Sequence, residues 1–235
     1  MQDQNVVRIV DISDILYHHA PMTLDPQNQH DRALLLLRQT GLVRLKEFAA
    51  AGITASTIVR LERAGEIVRL ARGLYQLPDA PVDVNHDLAV VAKAVPSGII
   101  CLVSALAFHE MTDATPSRVW VAIGSKDRKP TLAHPALQVV RFSDRHLHVG
   151  VTTHTIEGVA TPITDPAKTV VDLFRYRQSA GKRFQTSPGL NLALEGLREA
   201  LRQRKATPAE LARCAENAGI WKVVRPYLEA MTANA

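Results

Sequence analysis

A chain of 235 residues with 46% apolar and 22% charged side chains can bury one large core or two modest ones, which excludes a disordered polymer. Its formal charge of +5 and pI near 9.4 point to an acidic partner, while two cysteines are too few for a disulfide framework or a four-ligand zinc site. The longest apolar-rich run, residues 99–108, is too short to span a bilayer, and Asp3, Asp11 and Asp14 stand where a leader would need apolar residues, so a cytoplasmic protein without a membrane partner is expected.

Residues 1–30 read as an N-terminal extension, with an amphipathic piece over 6–17 and a polar stretch over 20–30. Residues 31–39 then form a Leu-rich helix whose Leu34 and Leu37 face a core. The next segment, 41–78, organises the chain, because it reads as a winged helix-turn-helix with each part in place. Leu45, Phe48 and Ala49 give a short helix one apolar side, and Gly52 ends it. Thr54 caps the following helix, with Ile53 and Ile58 at the spacing of a hydrophobic staple. At about 100° per residue, Ser56, Arg60 and Arg63 share the outer side of this second helix while Ile58 and Leu61 point inward. Gly65 stops it. Two short apolar runs, 67–70 and 74–77, are joined through Ala71-Arg72-Gly73, a hairpin signal that makes the wing.

Charge is densest in this segment: residues 31–78 hold eight Lys/Arg against four Asp/Glu, whereas residues 1–30 hold one against four. The expected DNA contacts are Arg44, Lys46, Thr54, Ser56, Thr57, Arg60, Arg63, Arg69 and Arg72. Arg60 and Arg63 sit where a guanidinium can read bases, and Arg69 and Arg72 sit near the wing tip, where a cation reaches phosphate.

Pro78, Asp79 and Pro81 mark a linker over 79–84, because proline cannot continue a strand ladder. A second domain over 85–235 is then expected. Residues 86–95 and 99–110 read as two helices, the latter apolar nearly all round and so deeply buried. Strand-like runs follow at 119–123, 137–142, 150–156 and 159–163, with turn-rich segments between them, which favours a mixed or antiparallel sheet over regular βαβ winding. Asp165 and Pro166 open a helix with Val170, Val171, Leu173 and Phe174 as its buried stripe. From residue 187 the chain reads as helical to its end. Leu190, Leu194, Leu197 and Leu201 repeat by turns, Thr207 with Glu210 has capping-box spacing, and Pro226 marks a kink or boundary in a last helix. The fold class expected is therefore α+β: an N-terminal winged helix-turn-helix, then an α+β domain with a helical C-terminal part.

The residues also carry a resemblance. Residues 44–78, with the run VRLARGLYQLPDA that continues to Ala80, look like the N-terminal domain of AbiEi-family antitoxins of type IV toxin–antitoxin systems. The runs HDLAVVAKAVPSGIICLVSALAFHEMT, RVWVAI, LQVVRF and DPAKTVVDLFRYR resemble that family too, so the likeness extends over about residues 31–228. It implies a repressor of its own operon, bound to double-stranded operator DNA. It further implies an antitoxin that counteracts a nucleotidyltransferase-like toxin, chiefly through the second domain and without needing to bind it stably. The alternative is a plain winged-helix regulator whose second domain senses a ligand or partner.

Other constellations offer little chemistry. Gly124-Ser125 after a strand lacks the paired carboxylates a nucleotidyltransferase needs to hold a divalent metal. His146, His148 and His154 lack a carboxylate or thiol to complete a metal site, and Asp165, Lys168 and Asp172 read as a helix cap, a first-turn lysine and an exposed acid. Cys101 and Cys214 read as buried thiols. Neither an enzymatic activity nor a cofactor or metal is expected. Lys126, Arg128 and Lys129, with Arg141 and Arg145, form a second basic patch that suits a polyanion.

Overall fold

The computed structural model describes residues 28–177 and 188–233, so the amphipathic reading of residues 6–17 lies outside them. The described part opens with α1 (Gln29–Thr40), capped by the Asn28 side chain, which accepts from the His30 N–H at 3.1 Å. Strand β1 (Val43–Arg44), helix α2 (Leu45–Ala50) and helix α3 (Ala55–Arg63) follow, then β2 (Val68–Ala71) and β3 (Leu74–Gln76). The three strands form an antiparallel sheet in the order β1-β3-β2. The wing turns at Arg72-Gly73, where Ala71 stands opposite Leu74 and Gly73 takes the positive φ of 69° that the turn requires.

The core of this part is Leu34, Leu37, Val43, Phe48, Ile53, Ile58, Leu61, Ile67 and Tyr75, all buried, with Phe48 edge-on to Tyr75. The staple residues Ile53 and Ile58 both belong to it. One expectation changes and one element is new. Leu45 and Ala49 are exposed and Phe48 alone of that trio is buried, because a six-residue helix laid against β1 offers the core less than one full stripe. Strand β1, two residues long, gave no period to read.

The second part contains α4 (His86–Ala94), β4 (Ile99–Ile100), α5 (Leu102–Phe108), β5 (Val119–Gly124) and β6 (Leu137–Phe142). It continues with α6 (Asp144–Leu147), β7 (Val151–Ile156), β8 (Val159–Thr164), α7 (Pro166–Tyr176), α8 (Gly189–Arg202), α9 (Pro208–Asn217) and α10 (Trp221–Thr232). Five strands make a mixed sheet in the order β6-β5-β4-β8-β7. β5 runs parallel to β6 and β4 parallel to β8, while β4 with β5 and β7 with β8 are antiparallel. The run 99–110 is thus not one helix. Ile99 and Ile100 form the middle strand, both paired with β5 and Ile100 also with Ile163 of β8, and the chain turns into α5 through Leu102 at a φ of 48°. An apolar run with no alternation suits a doubly covered strand as well as a buried helix.

The two faces of the sheet bury different sets. Val119, Val121, Ile123, Ile156 and Ile163 pack with Leu88 and Val91 of α4. Ile99, Trp120, Ala122, Val140 and Phe142 pack with the inner sides of α5, α7, α8, α9 and α10. Gly196 lets α8 approach α5 closely: a Cβ there would lie 2.8 Å from a methyl of Leu106. The caps read from sequence form, since Asp165 Oδ1 accepts from the Lys168 N–H at 2.7 Å, and the side chains of Thr207 and Glu210 each accept from the other's backbone N–H. Helix α10 continues through Pro226 rather than ending there.

The two parts share a core. Leu42 and Leu74 belong to the same buried cluster as α4, with Leu70 and Ala71 of the wing packed against it. Lys93 of α4 donates to Glu47 of α2 at 2.7 Å. The segment expected to be a linker is fastened as well, because the Glu157 carboxylate accepts from the Asp83 N–H at 2.7 Å and contacts His86 Nδ1 at 2.8 Å.

Candidate nucleic-acid interface

The α3 face develops as its sequence periodicity requires. Ile58 and Leu61 are fully buried, and Ser56, Arg60 and Arg63 are exposed on the opposite side. Thr54 caps the helix, its hydroxyl accepting from the Thr57 N–H at 3.4 Å. Thr57, counted among the DNA contacts, faces inward instead: it is 3% exposed, and its hydroxyl donates to Gln29 Oε1 at 3.0 Å. At position N3 of the helix it lies on the stripe that packs toward α1, so it supports the reading face from beneath.

Arg44, Lys46, Arg69 and Arg72 come together along one groove between the start of α2 and the wing, with Leu45, Gly73 and Tyr75 completing its lining. Four cations and no carboxylate line it. The Leu45 N–H donates to the Gly73 carbonyl at 2.8 Å, which ties the α2 N-terminus to the wing tip. None of Arg44, Lys46, Arg60, Arg63, Arg69 and Arg72 forms an ion pair among the described residues, so their charge faces solvent. Glu47 is the acid nearest in sequence, and it turns toward α4. Burial pushes its carboxyl up, but Lys93 and the Arg44 N–H, which donates at 2.6 Å, hold it below the ordinary value.

A second concavity at the start of α3 gathers Asn28, Gln29, Thr54, Ser56, Thr57 and Arg60. Gln29 was missed in the sequence because the helix was begun at Asp31. Asn28, an N-cap residue type just before a helical pattern, was the signal for an earlier start.

The second basic patch differs from this interface. Lys126, Arg128, Lys129 and Arg145 are exposed, yet Arg141 folds back and its Nη1 donates to the carbonyls of Gly124 and Ser125, at 2.9 Å each. Asp127 accepts from the Gly124 N–H at 2.9 Å, and Asp144 lies 3.4 Å from the Ser125 hydroxyl, so carboxylates alternate with the cations.

The remaining constellations resolve structurally. Asp172 is not exposed, as the sequence suggested, but 4% accessible, paired with Lys168 at 3.0 Å one helical turn away. Burial pushes its carboxyl up, against the pull of Lys168. The ammonium also lies over the Phe142 ring, 4.9 Å from its centre. The pair lines a cavity of about 350 Å³, together with His146, Glu210, Arg213 and Cys214. The histidines diverge: His146 and His148 belong to α6 and its end, whereas His154 packs its ring against Phe108. No group of three or more His, Cys, Asp or Glu is placed to hold a metal ion among the described residues. Cys101 is buried and Cys214 only half-buried, and burial raises both thiols, that of Cys214 to about 11, which leaves neither a reactive thiolate. No helix of the described residues is long and apolar enough to cross a membrane.

The order α1-β1-α2-α3-β2-β3, with the antiparallel sheet β1-β3-β2, defines a winged helix-turn-helix, joined to an α+β domain. Comparison with known proteins finds a likeness in the same segment. Residues 31–78 match the family model described as transcriptional regulator, AbiEi antitoxin, where the resemblance was read. No curated protein sequence matches the chain. A similar solved structure is the crystal structure of the RV2827C protein from Mycobacterium tuberculosis, 15% identical, covering 91% of this chain and 84% of that one at a TM-score of 0.54. That likeness is one of fold.

Proposed function

We propose that the chain is a sequence-specific double-stranded-DNA-binding repressor that also serves as the antitoxin of a type IV toxin–antitoxin pair, acting without catalysis. The observation that carries the DNA-binding reading is the groove of Arg44, Lys46, Arg69 and Arg72, free of carboxylates, beside the exposed Ser56, Arg60 and Arg63. In this reading α3 enters the major groove, where Arg60 and Arg63 meet base edges, and the wing and α2 start hold phosphates. Residues 31–78 are the reading domain, 79–84 the connection, and 85–235 the part that opposes a nucleotidyltransferase-like toxin, with no stable complex required. The description of the matched family supports both roles.

The cavity beside Lys168 and Asp172 favours a second reading, in which the chain is a regulator whose 85–235 part senses a small ligand. One experiment separates the two. The full chain and an Arg60→Ala/Arg63→Ala variant are each co-expressed with a nucleotidyltransferase-like toxin encoded beside the gene. Both are expected to restore growth, and only the wild type to repress a reporter driven by the operon's promoter. Failure of the wild type to restore growth would leave the regulator reading, and failure to repress would remove DNA binding.

A further inference from the structure

Gln29, the first residue of α1, lies outside the segment that matches the family model. Its side chain reaches the start of α3. There its Oε1 accepts from the Thr54 N–H at 3.0 Å and lies 3.0 Å from the hydroxyls of Thr54 and Thr57, which also lie within reach of each other and, for Thr54, of Ser56. A backbone N–H can only donate, so the atom facing it must be the amide oxygen; a flipped amide would set N–H against N–H. The orientation of this amide is therefore fixed by its partners. Its Nε2 has no hydrogen-bond partner among the described residues, and the side chain lines the concavity shared with Asn28, Ser56 and Arg60.

We propose that Gln29 is a base-reading residue that extends the α3 face, acting through Nε2 as a donor only and selecting guanine. This rests on the DNA-binding reading above. A glutamine with both ends free pairs with adenine, its oxygen accepting from N6 while its nitrogen donates to N7. Gln29 has no such freedom. The Thr54 N–H takes one lone pair of its oxygen and the two threonine hydroxyls crowd the other, so the adenine amino group meets no open acceptor. Guanine presents two acceptors, O6 and N7, on its major-groove edge, and Arg60 in the same concavity also only donates.

The test uses the full chain and the duplex it selects from a random pool. Gln29→Glu keeps an oxygen for the three donors and replaces the amino group by a second acceptor. Binding to the selected duplex is expected to fall tenfold or more, with the preference at one base pair moving from guanine to cytosine, whose N4 donates. Circular dichroism checks that the variant is folded. An independent arm places 7-deazaguanine, which lacks N7, or 2-aminopurine, which lacks O6, at each selected guanine. At one position an analogue should weaken the wild type several-fold and leave Gln29→Ala unaffected. If Gln29→Glu binds like the wild type, or loses affinity equally on selected and random DNA, Gln29 does not read. The same conclusion follows if every analogue acts alike on the wild type and Gln29→Ala. A wild-type chain that selects no sequence overturns the DNA-binding reading itself, and this inference with it.

Discussion

The two basic surfaces of this molecule contain similar numbers of cations and treat them differently. Around the wing, Arg44, Lys46, Arg69 and Arg72 line one groove with no carboxylate among them. In the second part, Arg141 is folded onto the carbonyls of Gly124 and Ser125, Asp127 and Asp144 sit among the lysines and arginines, and Lys168 is buried against Asp172. Counting positive residues does not distinguish the two surfaces. What distinguishes them is the company of the cations: the wing groove has no carboxylate in its lining, although Arg69 Nε donates to the Ala71 carbonyl at 3.3 Å, whereas Asp127 and Asp144 interleave with the cations of the second patch.

The largest effect that can test this contrast comes from the most completely used cation. Asp172→Ala leaves the buried Lys168 ammonium without its carboxylate, with only the Phe142 ring against it, and is expected to cost about 3–5 kcal/mol of stability in urea unfolding. Replacing both residues together by apolar ones of similar volume should restore much of that loss. A single-variant loss within experimental scatter would show that Lys168 reaches water as the wing cations do.

Arg60→Ala comes next in size. Losing a bidentate base contact should lower affinity for the selected duplex by about 1–3 kcal/mol while leaving random DNA almost unaffected. Arg72→Ala should weaken both duplexes alike and make the salt dependence shallower by about one counterion. Salt titrations of both variants on both duplexes decide whether α3 reads and the wing anchors. Equal losses for Arg60→Ala on the two duplexes would remove the distinction.

The smallest effect belongs to Arg141→Ala, which releases the Gly124 and Ser125 carbonyls and should cost about 1 kcal/mol of stability. Lys126→Ala, on the same turn but without such bonds, should stay within about 0.5 kcal/mol. Equal outcomes for the pair would mean that Arg141 is a surface cation like its neighbours.

Much of the winged helix was legible because its signals are local. Caps, a staple, a Gly turn and a 3.6-residue period all act within a few residues, and Thr54, Ile53, Ile58 and Gly73 behave as read. What escaped depended on partners far along the chain. Ile99 and Ile100 became a strand only because β5 and β8 lie on either side of them, and no period distinguishes two apolar residues in a strand from two in a helix. Asp172 looked like an exposed acid since its helix seemed one-sided, whereas α8, α9 and α10 enclose that helix. The site shows the same division. The spacing that put Ser56, Arg60 and Arg63 outside holds, while Thr57 turns inward to meet Gln29, a residue 28 positions earlier.

The core shared by Leu42 and Leu74 with α4 fixes the bearing of the whole molecule on any duplex that α3 enters. A reading head on a flexible tether would let its companion domain sweep all around the DNA. Here the wing is seated on α4, and Lys93 holds Glu47, so the five-stranded sheet and its helices are carried to one azimuth about the double helix. On the DNA-binding reading proposed above, whatever the second part does on the duplex is therefore done at a fixed position relative to the bases that α3 meets.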